Sequence, residues 1–423
     1  MRTTLPRFIL LMSLFGVCAT TRTADARTAH PASATLQRIL DEAAADMKSP
    51  GLVMAVQVGN SPPWIGVTGC QDQACTRRMT PDMKFRVGSI TKNFVGTAIL
   101  QQVDEGKIRL EDSLEKWLPG VFSNIDGQGI TIRHLLGHTS GIETYTEHPD
   151  WMPTVYMKPT HLWNAPQELL QLAELLRQQS IENHTVIQPG SRFAYSNTNF
   201  ILLGMIAAKV DGYGETEWAK VIQNRFFKKL AMNASRIPAV AETRLGSTNQ
   251  GYVNFYNFSK DENGVALCLQ LNPNCTDSDQ DFTAQDMSNA WSAGGIISTV
   301  DDLRKWINAE VKGHLLSGKI RQEQRKFMNT CTQGDSACKT PDVQVGLAMF
   351  RQTRFGFIGH RGEIFGFNGT IQYLPQKDLT VVVLSNRTAL DGNHVGPIPE
   401  KVAAALFPDL AIEGLPLAGR GQE

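Results

Sequence analysis

Ser89 stands three residues before Lys92 in Val87-Gly-Ser-Ile-Thr-Lys-Asn-Phe94, where the pattern predicts an apolar helix to begin. Positions i and i+3 of a helix share a face, so the hydroxyl and the amine can meet. A serine becomes a good nucleophile when a neighbouring base takes its proton, and a lysine in a partly desolvated cleft can shed its charge and serve. The free N–H groups of a helix start also favour a nearby oxyanion. The competing reading is an ordinary serine N-cap followed by a solvated lysine.

Two further groupings have chemical potential. Tyr195-Ser-Asn197 follows a Gln188-Pro-Gly-Ser turn at the start of a helical pattern. Tyr195 could shuttle a proton if cations lower its pKa from about 10. Asn197 offers an amide to a substrate carbonyl or to a Lys–Tyr network. His360-Arg-Gly362 lies in a strand pattern, and a glycine inside a strand implies close approach by something, such as a substrate lying alongside.

Ser89-x-x-Lys92, Tyr195-x-Asn197 and His360-x-Gly362, in this order, resemble the three motifs of the penicillin-recognising serine hydrolases. The likeness is to the branch with class C β-lactamases, DD-peptidases, D-aminopeptidases and related esterases. The stretches HLLGHTSGI (134–142), YSNTNFILLG (195–204), WSAGGIISTVDDL (291–303) and GHRGEIFGFNGT (359–370) extend it over roughly residues 40 to 410. It implies an α/β (α+β) fold of the β-lactamase/DD-peptidase type, needing no cofactor and no metal. Ser89 would be acylated, Lys92 would keep the proton network poised, and Tyr195 would take or return the Ser89 proton. The backbone N–H groups of Ser89 and Glu363 would form the oxyanion hole. Asn197, His360, Arg361 and Gly362 would bind substrate, with His360 polarising the cleft and helping to hold a carboxylate. His360 stands where typical β-lactamases carry lysine, which points to a D-alanyl-D-alanine carboxypeptidase-like enzyme or D-peptidase. The alternatives are an esterase, a weak class C-like β-lactamase, or a penicillin-binding sensor or scaffold without turnover. At Arg361 a guanidinium could clamp a substrate carboxylate, or pair with Glu363 along the strand.

Several elements must position these residues. Leu52–Val58 and Trp64–Thr68 read as a hairpin, with strands near 354–364, 370–374 and 379–384. Helical periodicity marks 166–179, 199–210 and 216–230, a capped start at Thr299-Val-Asp-Asp302, and a short helix near 399–406. The loop 143–164, with Trp151, Tyr156 and Trp163, suits a wall over a site. An antiparallel sheet built from both termini follows (about 40–110 and 290–410), with an inserted, mainly helical region at about 111–289.

The first 26 of the 423 residues read as a signal peptide: Arg2 and Arg7, an apolar run from Phe8 to Ala19, and Ala24-Asp25-Ala26. That run is too short to span a bilayer. Val17 before Cys18 disfavours lipidation. The mature domain, 27–423, would be periplasmic or secreted. With 41 basic and 41 acidic residues overall, nucleic acid is an unsuitable partner, whereas a small peptide, ester or β-lactam suits the motifs. The six cysteines of the mature region fall in local pairs: Cys70 with Cys75, Cys268 with Cys275, and Cys331 with Cys338. These suggest disulfides in an oxidising compartment, although six cysteines allow 15 connectivities. His134 and His138 lack the glutamate of a zinc H-E-x-x-H site. Asp277, Asp279 and Asp281 lack the glycine and glutamate of a calcium loop.

Overall fold

The computed structural model describes residues 32–247, 249–255, 267–330, 343–388 and 394–412. The expected signal peptide, 1–26, with Cys18, lies outside them. Strands β1 (Gly51–Val58), β2 (Trp64–Gly69), β3 (Met328–Asn329), β4 (Val343–Val345), β5 (Phe350–Gln352), β6 (Ile358–Ile364), β7 (Phe367–Leu374) and β8 (Leu379–Ser385) form one sheet in the order β2-β1-β8-β7-β6-β5-β4-β3. Every neighbouring pair is antiparallel. Strands from the two ends of the chain thus join in one sheet, β1 against β8, as the sequence predicts.

The β8 sequence, Leu-Thr-Val-Val-Val-Leu-Ser, is buried throughout, as suits a β-branched run in a central strand. Its side chains alternate between two cores. Leu379, Val381 and Val383 pack with Leu36 and Leu40 of α1 (Ser33–Asp46), and with Val402 of the C-terminal helix Ile398–Leu406. Val382 and Leu384 face the opposite core. There α2 (Ile90–Asp104) is buried on nearly every side and packs against Asn197–Val210, α4, with Gln167–Glu182, α3, behind it. Helix α5 (Val300–Val311) lies against β8, and its Trp306 stacks on Phe94 of α2 at 3.8 Å between ring centroids. The C-terminal helix, α6, completes the outer layer.

Some boundaries depart from the sequence reading. The expected strand 354–364 begins only at Ile358, because Gly356, at φ +79°, turns the chain between β5 and β6. The helix expected over 216–230 is regular only from Trp218 to Ile222, after which Lys228 N–H reaches back to Gln223. Helix α1 is not among the expected elements, although Leu36, Ile39, Leu40 and Ala43 carry a helical stripe and are its buried residues. Inside the loop 143–164, Trp151–Met157 is helical, and Trp151, Tyr156 and Trp163 are buried.

Two of the three expected disulfides are present. One joins Cys70 to Cys75 and the other joins Cys268 to Cys275. The third expected pair is Cys331 with Cys338. Both Cys331 and Cys338 lie outside the described residues.

Beneath α2, Glu310 of α5 is fully buried, and its Oε1 accepts from Asn93, Thr97 and Gln324. Burial pushes its carboxyl from 4.5 up to about 7, against those bonds. The folded protein therefore holds this proton more tightly than the unfolded chain. The resulting stabilisation is full below the unfolded value and is lost as pH rises through about 7. A shift of this size corresponds to about 3 kcal/mol. In urea titrations, Glu310→Gln should gain stability relative to wild type between pH 5 and pH 8 by about 1–3 kcal/mol; equal pH dependence in the two proteins would refute the assignment.

Candidate active site

Ser89 ends the tight turn before α2. Its φ and ψ are helical and its side chain makes no capping bond, so it is not the ordinary cap. Instead, its Oγ lies 2.9 Å from Lys92 Nζ and accepts a hydrogen bond from the Tyr195 hydroxyl at 2.9 Å. Lys92 also donates to the Ala293 carbonyl at 2.7 Å. Lys92 is wholly buried and forms no ion pair among the described residues. Burial alone pushes its pKa well below the lysine range, so it can present a neutral amine to the serine proton.

Tyr195 departs from expectation. Burial raises its pKa, outweighing the opposing effect of the Ser89 hydrogen bond; neighbouring cations do not lower it. With the amine of Lys92 neutral, the phenol keeps its proton. His138, weighed in the sequence only as a zinc ligand, holds this ring: the two stack at 4.3 Å and 24°. Its Nδ1 accepts from the Ser196 N–H at 3.1 Å, and its backbone sits at φ +55°. Spacing gave no sign of this contact. His134 instead closes a capping box with Thr131. The aspartates of the rejected calcium loop are engaged elsewhere, with Asp279 on Arg387 and Asp277 on Asn254.

Strand β6 lies against the Ser89 turn. A Cβ on Gly362 would come 1.9 Å from Val87 O, and one on Gly88, at φ +52°, would come 2.5 Å from Glu363 O. The glycine at 362 therefore admits the nucleophile's own turn, where the sequence suggested a substrate. The same approach sets the Ser89 and Glu363 main chains side by side.

His360 is buried, its Nδ1 lies 2.5 Å from the Arg361 carbonyl, and burial pushes it down to about 3. It is a neutral imidazole at ordinary pH and supplies no charge for a carboxylate. Arg361 carries a guanidinium and lines a cavity of about 360 Å³ that also reaches Ser89, Tyr195, Gln352 and His394. With the Gln352 amide oriented to satisfy both neighbours, its oxygen accepts from Arg361 Nη2 at 2.7 Å and its nitrogen donates to Glu400 at 3.2 Å. Arg361 is thus turned away from the strand pairing with Glu363, whose Oε2 accepts from Asn368 at 3.2 Å. Asn197 is not part of the Lys–Tyr network. Its Nδ2 donates to Thr146 at 3.1 Å, and it lines a second cavity.

A serine–lysine–tyrosine contact with its lysine buried, at the foot of a helix and beside an antiparallel sheet, defines a serine hydrolase of the β-lactamase and penicillin-binding type. The chain belongs to the Beta-lactamase family, which it matches over residues 36–405. It is similar to a D-stereospecific amidohydrolase from Streptomyces, with 28% identity, a TM-score of 0.70, and coverage of 89% of this chain and 99% of that one. The D-amino acid amidase of Ochrobactrum anthropi, complexed with D-phenylalanine, shares the fold at 22% identity and a TM-score of 0.71, with the same 89% and 99% coverage. Protein flp of Staphylococcus aureus (strain COL) is 26% identical over 321 residues, 75% of this chain and 56% of that protein. The chain therefore spans about half the length of that curated relative.

Proposed function

We propose that this protein is an exported hydrolase that cleaves short D-amino acid peptides, carboxypeptidase-like, through an acyl-Ser89 intermediate. The observation that carries this reading is the pairing of the Ser89–Lys92–Tyr195 contact with Arg361, in place of a charged His360, as the cation of the cleft. Similarity to the Streptomyces amidohydrolase supports the D-peptide class, and the two disulfides support export.

In acylation, the Ser89 proton passes to Lys92 Nζ as Oγ bonds to the substrate carbonyl carbon. The backbone N–H groups of Ser89 and Glu363 receive the oxyanion, an arrangement in which each donor is typically worth roughly 3–4 kcal/mol. Tyr195 passes a proton to the leaving amine as the C–N bond breaks, and is reprotonated from Lys92. Water then attacks the ester along the reverse path and releases Ser89. His138 keeps the Tyr195 ring in line.

A panel of D-Ala-D-Ala peptides, D-amino acid amides, p-nitrophenyl esters and a chromogenic cephalosporin tests the reading. Highest kcat/KM on the esters or the cephalosporin would overturn it. Arg361 gives a sharper comparison, because a guanidinium binds a carboxylate through two parallel N–H···O bonds. Arg361→Ala should lower kcat/KM for a free-acid D-peptide by roughly ten- to a hundredfold, and hardly affect the corresponding amide. Equal losses on acid and amide would return Arg361 to a structural role with Gln352 and Glu400.

A further inference from the structure

The leaving amine takes its proton from Tyr195, so the residue that departs lies in the cavity of about 360 Å³ that Tyr195 shares with Ser89 and Arg361. Strand β5 brings two kinds of surface together there. Phe350 and Gln352 both line the cavity, as successive same-side positions about 7 Å apart. Gln352 accepts from Arg361 through its amide oxygen. Val343 of β4 is directly opposite Gln352 in the antiparallel register, which sets its side chain beside that anchor on the same face. Phe193, two residues before Tyr195, meets Phe350 edge to face at 6.4 Å between ring centroids. Phe193, Val343 and Phe350 are each only partly buried. Together they form an apolar wall that begins about one residue's length from the Arg361 guanidinium.

A leaving residue whose carboxylate sits on Arg361 and whose amine points to Ser89 and Tyr195 has one substituent left, its side chain. The wall is the surface left to receive it. The methyl of alanine would cover little of that wall. A branched aliphatic or aromatic side chain would take apolar surface out of water on both partners, whereas a polar side chain of similar size would be desolvated against a wall that offers it no hydrogen bond. Phe193 and Phe350 also flank His138, at 5.9 and 6.3 Å between centroids, so a role confined to packing around the Tyr195 ring is the competing account.

We propose that this wall selects the leaving residue, and that the favoured substrate is a D-peptide ending in a large apolar residue, such as D-phenylalanine or D-leucine, in place of D-alanine. The proposal rests on the D-peptide reading and narrows it from the side that departs. Phe193 is the specificity-determining residue most open to test, because it lies outside the sheet that carries Arg361.

The test compares D-Ala-D-Phe, D-Ala-D-Ala and D-Ala-D-Gln in wild type, Phe193→Ala and Phe193→Leu, with fluorescent-penicillin labelling of Ser89 run alongside. All three peptides donate the same acyl group, so one acyl-enzyme forms and the ratios of kcat/KM report the leaving residue alone. Wild type should favour D-Ala-D-Phe over each of the others by about tenfold or more, the scale of burying one large apolar side chain. Phe193→Ala should shrink that preference by roughly three- to tenfold, and Phe193→Leu should restore most of it. A packing role alone would lower all three rates together and leave the ratios in place. Unchanged ratios in Phe193→Ala, or a wild-type enzyme that prefers D-Ala-D-Ala or D-Ala-D-Gln, overturns the proposal and leaves the D-peptide reading standing. Turnover of none of the three removes that reading and the proposal together, and labelling then shows whether the acyl-Ser89 chemistry survives them.

Discussion

Ser89→Ala will abolish covalent labelling by a fluorescent penicillin and lower kcat by about a millionfold, the scale seen when other serine nucleophiles are deleted. The fold should survive. Ser89 makes no capping bond, so the usual penalty for losing a serine cap does not apply, and the loss should stay near 1 kcal/mol or less. Lys92 keeps its bond to the Ala293 carbonyl. Circular dichroism and a thermal melt on the same sample establish folding, and intact-mass analysis after penicillin treatment reads the adduct. An adduct on a folded Ser89→Ala protein would move the nucleophile elsewhere.

Lys92→Met should cost about 10²–10⁴ in the acylation rate, the usual contribution of a positioned base. It should hardly disturb stability, because methionine fills a similar volume in a site that already disfavours charge. The pH profile gives the sign. Burial depresses the Lys92 pKa, and only the neutral amine can take the serine proton. In wild type kcat/KM should therefore fall as pH drops through that depressed value and stay level well below the ordinary lysine range. Single-turnover acylation measured from pH 5 to pH 10 checks this. A rate still climbing toward the ordinary lysine value of 10.5 would mean that Lys92 is charged in the free enzyme and would pass the base role to Tyr195.

Much of the framework was legible in the chain. The spacing of Ser89 and Lys92 sufficed to place their side chains together, because a helix turn fixes that distance locally. The apolar run of β8 marked a central strand. The closeness in sequence of Cys70 to Cys75, and of Cys268 to Cys275, marked their disulfides, since short loops hold their ends close. The order of the three motifs carried the fold.

What the sequence could not carry was environment. Whether Lys92 or Tyr195 can take a proton depends on burial, which is set by packing among α2, α4 and the Ala293 segment, distant in the chain. The neutrality of His360, the stacking of His138 on Tyr195 and the turn of Arg361 toward Gln352 arise in the same way, from contacts whose partners no local pattern specifies. Gly362 shows the division in one residue. Its type announced a close approach, but only the tertiary structure shows that Val87 and the Ser89 turn fill the space, because a missing Cβ records a need for room and says nothing of the occupant.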